Sequence, residues 1–208
     1  MSDKESLKES VAYFMRRAYE RGLTTCTGGN ISARLGSSMY ITCSGKDKGN
    51  LCASDIAEVD MKTGKNLTPE LKISIETEMH RLVYLARPDV SAVVHTHPVY
   101  SCYFSASDHE IDTSIIAESY FLLDKVVKVP YRLMGTKELA LEVQKYAPGH
   151  DVLLMENHGA LAFGKSLISA FDRLECLEQA ARMTILSMAF PVKDLTEEQK
   201  EAIKALRK

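Results

Sequence analysis

The run Ser91-Ala92-Val93-Val94-His95-Thr96-His97-Pro98 constrains the fold of this chain more than any other stretch. It is almost wholly apolar up to His95 and is ended by a proline, which reads as a buried strand. Successive side chains on a strand point to opposite faces, so His95 and His97 project together from one face and can share one ion. A third candidate, His158, ends a second apolar run, Leu153-Leu154-Met155-Glu156-Asn157-His158-Gly159-Ala160, where the glycine lets the backbone turn or approach closely. Three neutral imidazoles with one open position is the arrangement of a catalytic zinc site rather than a structural one. A single histidine at a strand end is more often a satisfied polar group than a ligand. The pair shifts that balance, because both rings emerge where a sheet ends, a common place for ligand sites in sheets with helical cover. His80, His109 and His150 fall in a helical pattern or in polar loops and read as structural or surface groups.

At 208 residues the chain is most simply one domain, 1–208, long enough to bury a sizeable core. Its net charge of −2 leaves no electrostatic footprint for nucleic acid. The amino terminus is charged and leads into an amphipathic helix, and no stretch reaches membrane-spanning length, so a cytoplasmic protein is expected. Five cysteines, an odd number without CxxC spacing, argue against a disulfide framework or thiolate zinc knuckle; mostly they should be small buried hydrophobes.

Apolar spacing predicts helices over 6–22, 74–87 (stopped by Pro88), 136–146 and 166–190, with a capping box at Thr196-Glu197-Glu198-Gln199 opening a last short one. Strands are expected at 39–43, 57–61, 92–97, 126–131, 152–155 and 160–163. The irregular alternation favours an α/β fold with one sheet covered on both faces.

Ser74 is placed to cap the helix that follows it, and Glu76 falls in its first turn, where a carboxylate is favoured by the helix dipole whether or not it has another task. Gly28-Gly29-Asn30 and Ser44-Gly45-Lys46 offer backbone N–H groups and small polar side chains of the kind that cradle phosphate, although turn formation alone explains each.

The order of these parts resembles the class II aldolase and adducin head-domain family: Gly28-Gly29-Asn30-Ile31-Ser32-Ala33-Arg34, then Ile41-Thr42-Cys43-Ser44-Gly45, Ser74-Ile75-Glu76 with His80, Val94-His95-Thr96-His97, and Asn157-His158-Gly159 before a long helix. The resemblance runs from about Leu7 to Met188 and implies a three-layer fold with a mostly antiparallel sheet. It implies Zn(2+), or another divalent transition metal, on His95, His97 and His158, with Glu76 as acid/base and phosphate held by Gly29, Asn30, Ser44, Gly45 and Ser74. The implied reaction is aldol cleavage of a small ketose 1-phosphate of the L-fuculose 1-phosphate kind, leaving dihydroxyacetone phosphate and an aldehyde through an enediolate. A homotetramer with sites at subunit boundaries is also implied.

Two positions depart from the family's aldolases. Ile75 stands where a second serine would bind phosphate, with Lys46 available to compensate with charge. Ile116 stands where a tyrosine would handle the aldehyde side, with Tyr120 one helical turn on as a substitute catalytic residue. The terminal tyrosine is missing too. Alternatives within the family are a sugar-acid-phosphate decarboxylase, a methylthioribulose-phosphate dehydratase and a sugar-phosphate 4-epimerase, the last weakened because it carries aspartate at the position of Glu76. A non-catalytic adducin-like module predicts a decayed metal site, whereas all four residues are present.

Overall fold

Strands β1 (Asn30–Leu35), β2 (Ser38–Thr42), β3 (Ile56–Asp60), β4 (Ala92–Thr96), β5 (Val127–Val129), β6 (Val152–Met155) and β7 (Gly159–Gly164) form one sheet in the computed structural model, which describes residues 3–123 and 125–206. Their order is β3-β2-β1-β4-β7-β6-β5, antiparallel throughout except for the parallel pair β5 and β6. The helices are α1 (Asp3–Glu20), α2 (Thr77–Ala86), α3 (Val99–Ser105), α4 (Ala117–Leu123), α5 (Lys137–Tyr146), α6 (Leu167–Ala189) and α7 (Glu197–Ala205).

Side-chain alternation on the central strands divides the core in two. Ala92 and Val94 of β4, with Ala160 and Ala162 of β7, pack with α1 and α6 on one face. Val93, Leu161 and Phe163 pack with Met79, Val83, Leu139 and Val143 of α2 and α5 on the other. The sheet is therefore covered on both faces, as its near-continuous apolar central strands require. Truncating one of these fully buried residues, Leu161 for example, costs about 2–5 kcal/mol.

Local signals placed most elements within a few residues. Thr136 Oγ1 accepts from Leu139 N at 3.2 Å, and capping boxes at Ser166 and Thr196 open α6 and α7. The expected strand at 126–131 is only three residues long, because Pro130 has no N–H to give a ladder. Strand β1 and helix α3 were not anticipated. In β1, Ile31 and Ala33 face the α1 side while Ser32 faces α2, so its apolar content is slight; two flanking strands, not its own pattern, make it a strand. The helix expected from residue 74 begins at Thr77: Ser74 Oγ accepts from Glu76 N at 3.2 Å and so closes the preceding turn. Only Cys43 and Cys176 are buried; Cys26 and Cys52 are exposed, beside Asp47 and Asp55, and all five thiols are free. No described helix is long and apolar enough to cross a membrane.

Candidate active site

His95 leaves β4 on the face covered by α2, and antiparallel pairing sets it directly beside Asn30 of β1. His97 follows one residue past the strand end on the same side. His158 comes from the turn joining β6 to β7, where Asn157 adopts φ 53°, a left-handed conformation tolerated by asparagine. Glu76 stands at the head of α2 but caps nothing with its side chain. These four meet: Glu76 Oε2 lies 3.2 Å from His95 Nε2, Glu76 Oε1 lies 3.1 Å from His158 Nε2, and His97 Nε2 lies 3.1 Å from His95 Nε2. One ring nitrogen from each of the three histidines falls within a 4.8 Å set.

The donor set suits a divalent ion. His95 Nδ1 is 2.9 Å from the Ala160 carbonyl, which only accepts, so Nδ1 carries the proton and the Nε2 lone pair turns toward the cluster. Glu76 Oε1, although close to His158, has no donor in line and is buried. Lone pairs thus crowd one point with too few protons to satisfy them, which a cation resolves. Burial by itself raises the Glu76 carboxyl, but His95 and His158 outweigh it and hold the group well below the usual carboxylate range. Burial, with His95 and His158 adding to it, pushes the His97 imidazole down to about 3.

Two contacts fix the cluster. Asn30 Nδ2 donates to Glu76 Oε2 at 2.8 Å. Glycine at 159 is a packing requirement: a Cβ there would lie 2.7 Å from His97 Cδ2 and 2.7 Å from the Thr96 carbonyl. His80, taken from sequence as structural or surface, is fully buried under the site. Its Nδ1 is 2.7 Å from Ser32 Oγ, which also meets Tyr84 Oη at 2.8 Å, and burial pushes it down to about 3.

A cavity of about 180 Å³ opens above the cluster. Of the five expected phosphate positions, Gly29, Asn30, Ser44 and Ser74 line it, while Gly45, at φ 70°, forms the turn alongside. His97, His158 and Glu76 line its other end, and His95 lies behind them. Ile75 and Met134 supply an apolar rim. Larger hollows of about 290 and 390 Å³ lie elsewhere, between Arg21 and Arg182 and between Asp108 and Leu154, but neither contains a histidine.

Two expectations meet a different arrangement. Lys46 pairs with Asp55 at 3.1 Å, half-exposed and off the cavity; the lysine that lines the cavity is Lys48. Nothing in the polar turn Lys46-Asp47-Lys48-Gly49 marks which lysine turns inward. Tyr120 sits on α4 against Lys204 of α7, and neither it nor Ile116 lines the cavity. The interaction of Asn30 with Glu76 was likewise invisible, because it depends on the pairing of β1 with β4.

The chain belongs to the class II aldolase and adducin N-terminal domain family, whose model matches residues 9–185. Among its relatives, an L-fuculose phosphate aldolase of Methanocaldococcus jannaschii is 33% identical over 87% of this chain and 97% of its own length. A 3-oxo-tetronate 4-phosphate decarboxylase of Haemophilus influenzae is 30% identical over 91% and 92%, and a methylthioribulose-1-phosphate dehydratase of Pseudomonas syringae pv. tomato 32% identical over 84% and 92%. Among solved structures, YgbL of Escherichia coli superposes with a TM-score of 0.87 at 27% identity, covering 99% of both chains. An L-fuculose 1-phosphate aldolase superposes with a TM-score of 0.87 at 29% identity, covering 97% of this chain and 95% of the other.

Proposed function

We propose that the protein is a lyase that cleaves a small ketose 1-phosphate to dihydroxyacetone phosphate and an aldehyde, with zinc or another divalent transition ion as cofactor. The convergence of Glu76 on His95, His97 and His158 is the observation that carries this reading. Those three histidines would hold the ion, which when bound supplies a Lewis acid for the negative charge left as the carbon–carbon bond breaks. Glu76, fixed by Asn30, moves a proton to and from the carbon that bore that bond. Ser44, Ser74, the backbone of Gly29 and Gly45, and the second amide proton of Asn30 orient the phosphate so that this carbon faces Glu76.

Aldol cleavage also needs a group to take the proton from the hydroxyl that becomes the aldehyde. Tyr120 serves this step only from a second copy of the chain, consistent with a homotetramer whose sites lie at subunit boundaries. Decarboxylation of a sugar-acid phosphate is the second reading, and the lining of the cavity favours it: loss of carbon dioxide leaves the same charge on carbon but needs no such proton acceptor, and no tyrosine among the described residues lines the cavity. The relationship to the Haemophilus influenzae decarboxylase adds support.

A panel of ketose 1-phosphates and 3-oxo sugar-acid phosphates, offered to the zinc-loaded protein with dihydroxyacetone phosphate and carbon dioxide measured separately, tests the two readings. Dihydroxyacetone phosphate released from a ketose 1-phosphate together with an aldehyde and without carbon dioxide supports the aldolase; carbon dioxide released from a 3-oxo sugar-acid phosphate, accompanied by the shortened ketose phosphate, supports the decarboxylase. Neither product, from a metal-loaded protein, ends both.

A further inference from the structure

Lys48 is 1% exposed, one of the largest fully buried side chains of the molecule, yet it lines the cavity beside Ser44 and Ser74. Its backbone N–H donates to the Cys26 carbonyl at 2.8 Å and its Nζ donates to the Cys43 carbonyl at 2.7 Å. Among the described residues no carboxylate comes within 4.0 Å of that Nζ. Asp55, a carboxylate whose charge acts on Lys48, is engaged by Lys46 and by the Cys52 N–H. An ammonium has three donors, and one carbonyl uses one of them. A buried cation held by a single neutral acceptor is costly unless another partner completes it.

The donors at this end of the cavity other than Lys48 are neutral: the hydroxyls of Thr27, Ser44 and Ser74, the Asn30 amide and backbone N–H groups. They can orient a phosphate, but they do not balance its charge. We propose that Lys48 is the charged contact to the substrate's phosphate, its buried ammonium left open for a phosphate monoester dianion and replacing the donor lost at Ile75. This rests on the reading that the cavity takes a phosphorylated substrate. Burial pushes the amino group down to about 8, whereas a bound dianion pulls it back toward its ordinary value. The titratable groups around it move away from that pH: Cys43 and Cys26 are pushed up by burial, Lys46 is raised by Asp55, and Asp47 and Asp55 are lowered. Phosphate affinity of the parent protein should therefore fall as pH rises through about 8.

The experiment compares the zinc-loaded parent with Lys48→Met, which keeps length without charge, and Lys48→Arg, which holds its charge at every pH. Binding of inorganic phosphate is measured by calorimetry from pH 6.5 to 9.5. Proton exchange is followed on dihydroxyacetone phosphate and on dihydroxyacetone. Loss of one charge-assisted hydrogen bond predicts phosphate binding and KM for dihydroxyacetone phosphate weakened by about ten- to a hundredfold in Lys48→Met. Exchange on dihydroxyacetone should be unchanged, and Lys48→Arg should retain phosphate binding above pH 8, where the parent loses it. Equal slowing with both substrates, or phosphate affinity independent of charge at position 48, makes Lys48 a strut between Cys26 and Cys43 and overturns the assignment. If Lys48→Met does not fold, the parent and Lys48→Arg profiles decide, since parallel pH dependence overturns it too. A parent protein that binds neither inorganic phosphate nor dihydroxyacetone phosphate removes the functional reading itself, a result distinct from a phosphate-binding parent with an indifferent Lys48→Met.

Discussion

At the metal end of the cavity the key side chains are held by further contacts: His95 by the Ala160 carbonyl, Glu76 by Asn30, His97 by close packing against Gly159. At the anion end Ser44 and Gly45 lie in a partly exposed turn anchored by backbone bonds to residues 72 and 73, and Lys48 reaches in from a single turn of 3-10 helix. Strand pairing fixes the first end to the centre of the sheet, while Ser44, Gly45 and Lys48 of the second hang from the turn that follows β2. Bond-making chemistry needs ligand nitrogens and a base placed to a fraction of an ångström, and packed strands supply that. Phosphate recognition spreads over several modest donors, so loops suffice. Substitutions at the metal end should abolish activity, and those at the anion end should scale it.

His95→Ala offers the largest contrast: the variant should lose both its bound metal, measured by elemental analysis, and all turnover. Full activity in a metal-free preparation would break the comparison outright. Next, Glu76→Gln keeps the shape but not the base, so metal content should persist while proton exchange on dihydroxyacetone phosphate falls about 10²–10⁴-fold. An unchanged exchange rate returns Glu76 to the head of α2 with no chemical task. Gly159→Ala pushes a methyl against the His97 ring and the Thr96 backbone, which cannot withdraw, and metal affinity should drop about 10–100-fold. Titration with a competing chelator reads this directly; parent-like affinity would show that the turn yields more than its packing suggests. The smallest effect belongs to the anion end. Ser44→Ala removes one neutral donor, so KM for the phosphorylated substrate should rise about two- to tenfold with kcat and metal content unchanged, and a loss as deep as that of Glu76→Gln would erase the distinction between the two ends.

The three candidate metal ligands were legible because their signal is local. Parity on a strand puts His95 and His97 on one side, and an apolar run ending in His-Gly marks the other ligand. Glycine at 159 was read as freedom to turn or approach closely; the approach is what operates, and the turn itself depends on Asn157. Ser74, Ser44 and Gly29 were legible only as members of an ordered set, since each alone is an ordinary turn residue. The partner of Asn30, the burial of His80 and the inward path of Lys48 were not legible, because each depends on segments far apart in sequence.

What the sequence determined by itself is the set of groups able to do chemistry and the short-range structure that presents them. Capping boxes, prolines and apolar periodicity act over a few residues, and they settle helix starts and strand faces without reference to the rest of the chain. The tertiary structure decided which polar groups share a space. It made β1 a strand by pairing it on both sides, carried Asn30 to Glu76, left Tyr120 against α7, and chose Lys48 over Lys46. The physical reason is that burial and charge pairing are properties of three-dimensional neighbours: two lysines in one turn are equivalent until chain packing and Asp55 decide which is paired in solvent and which is enclosed.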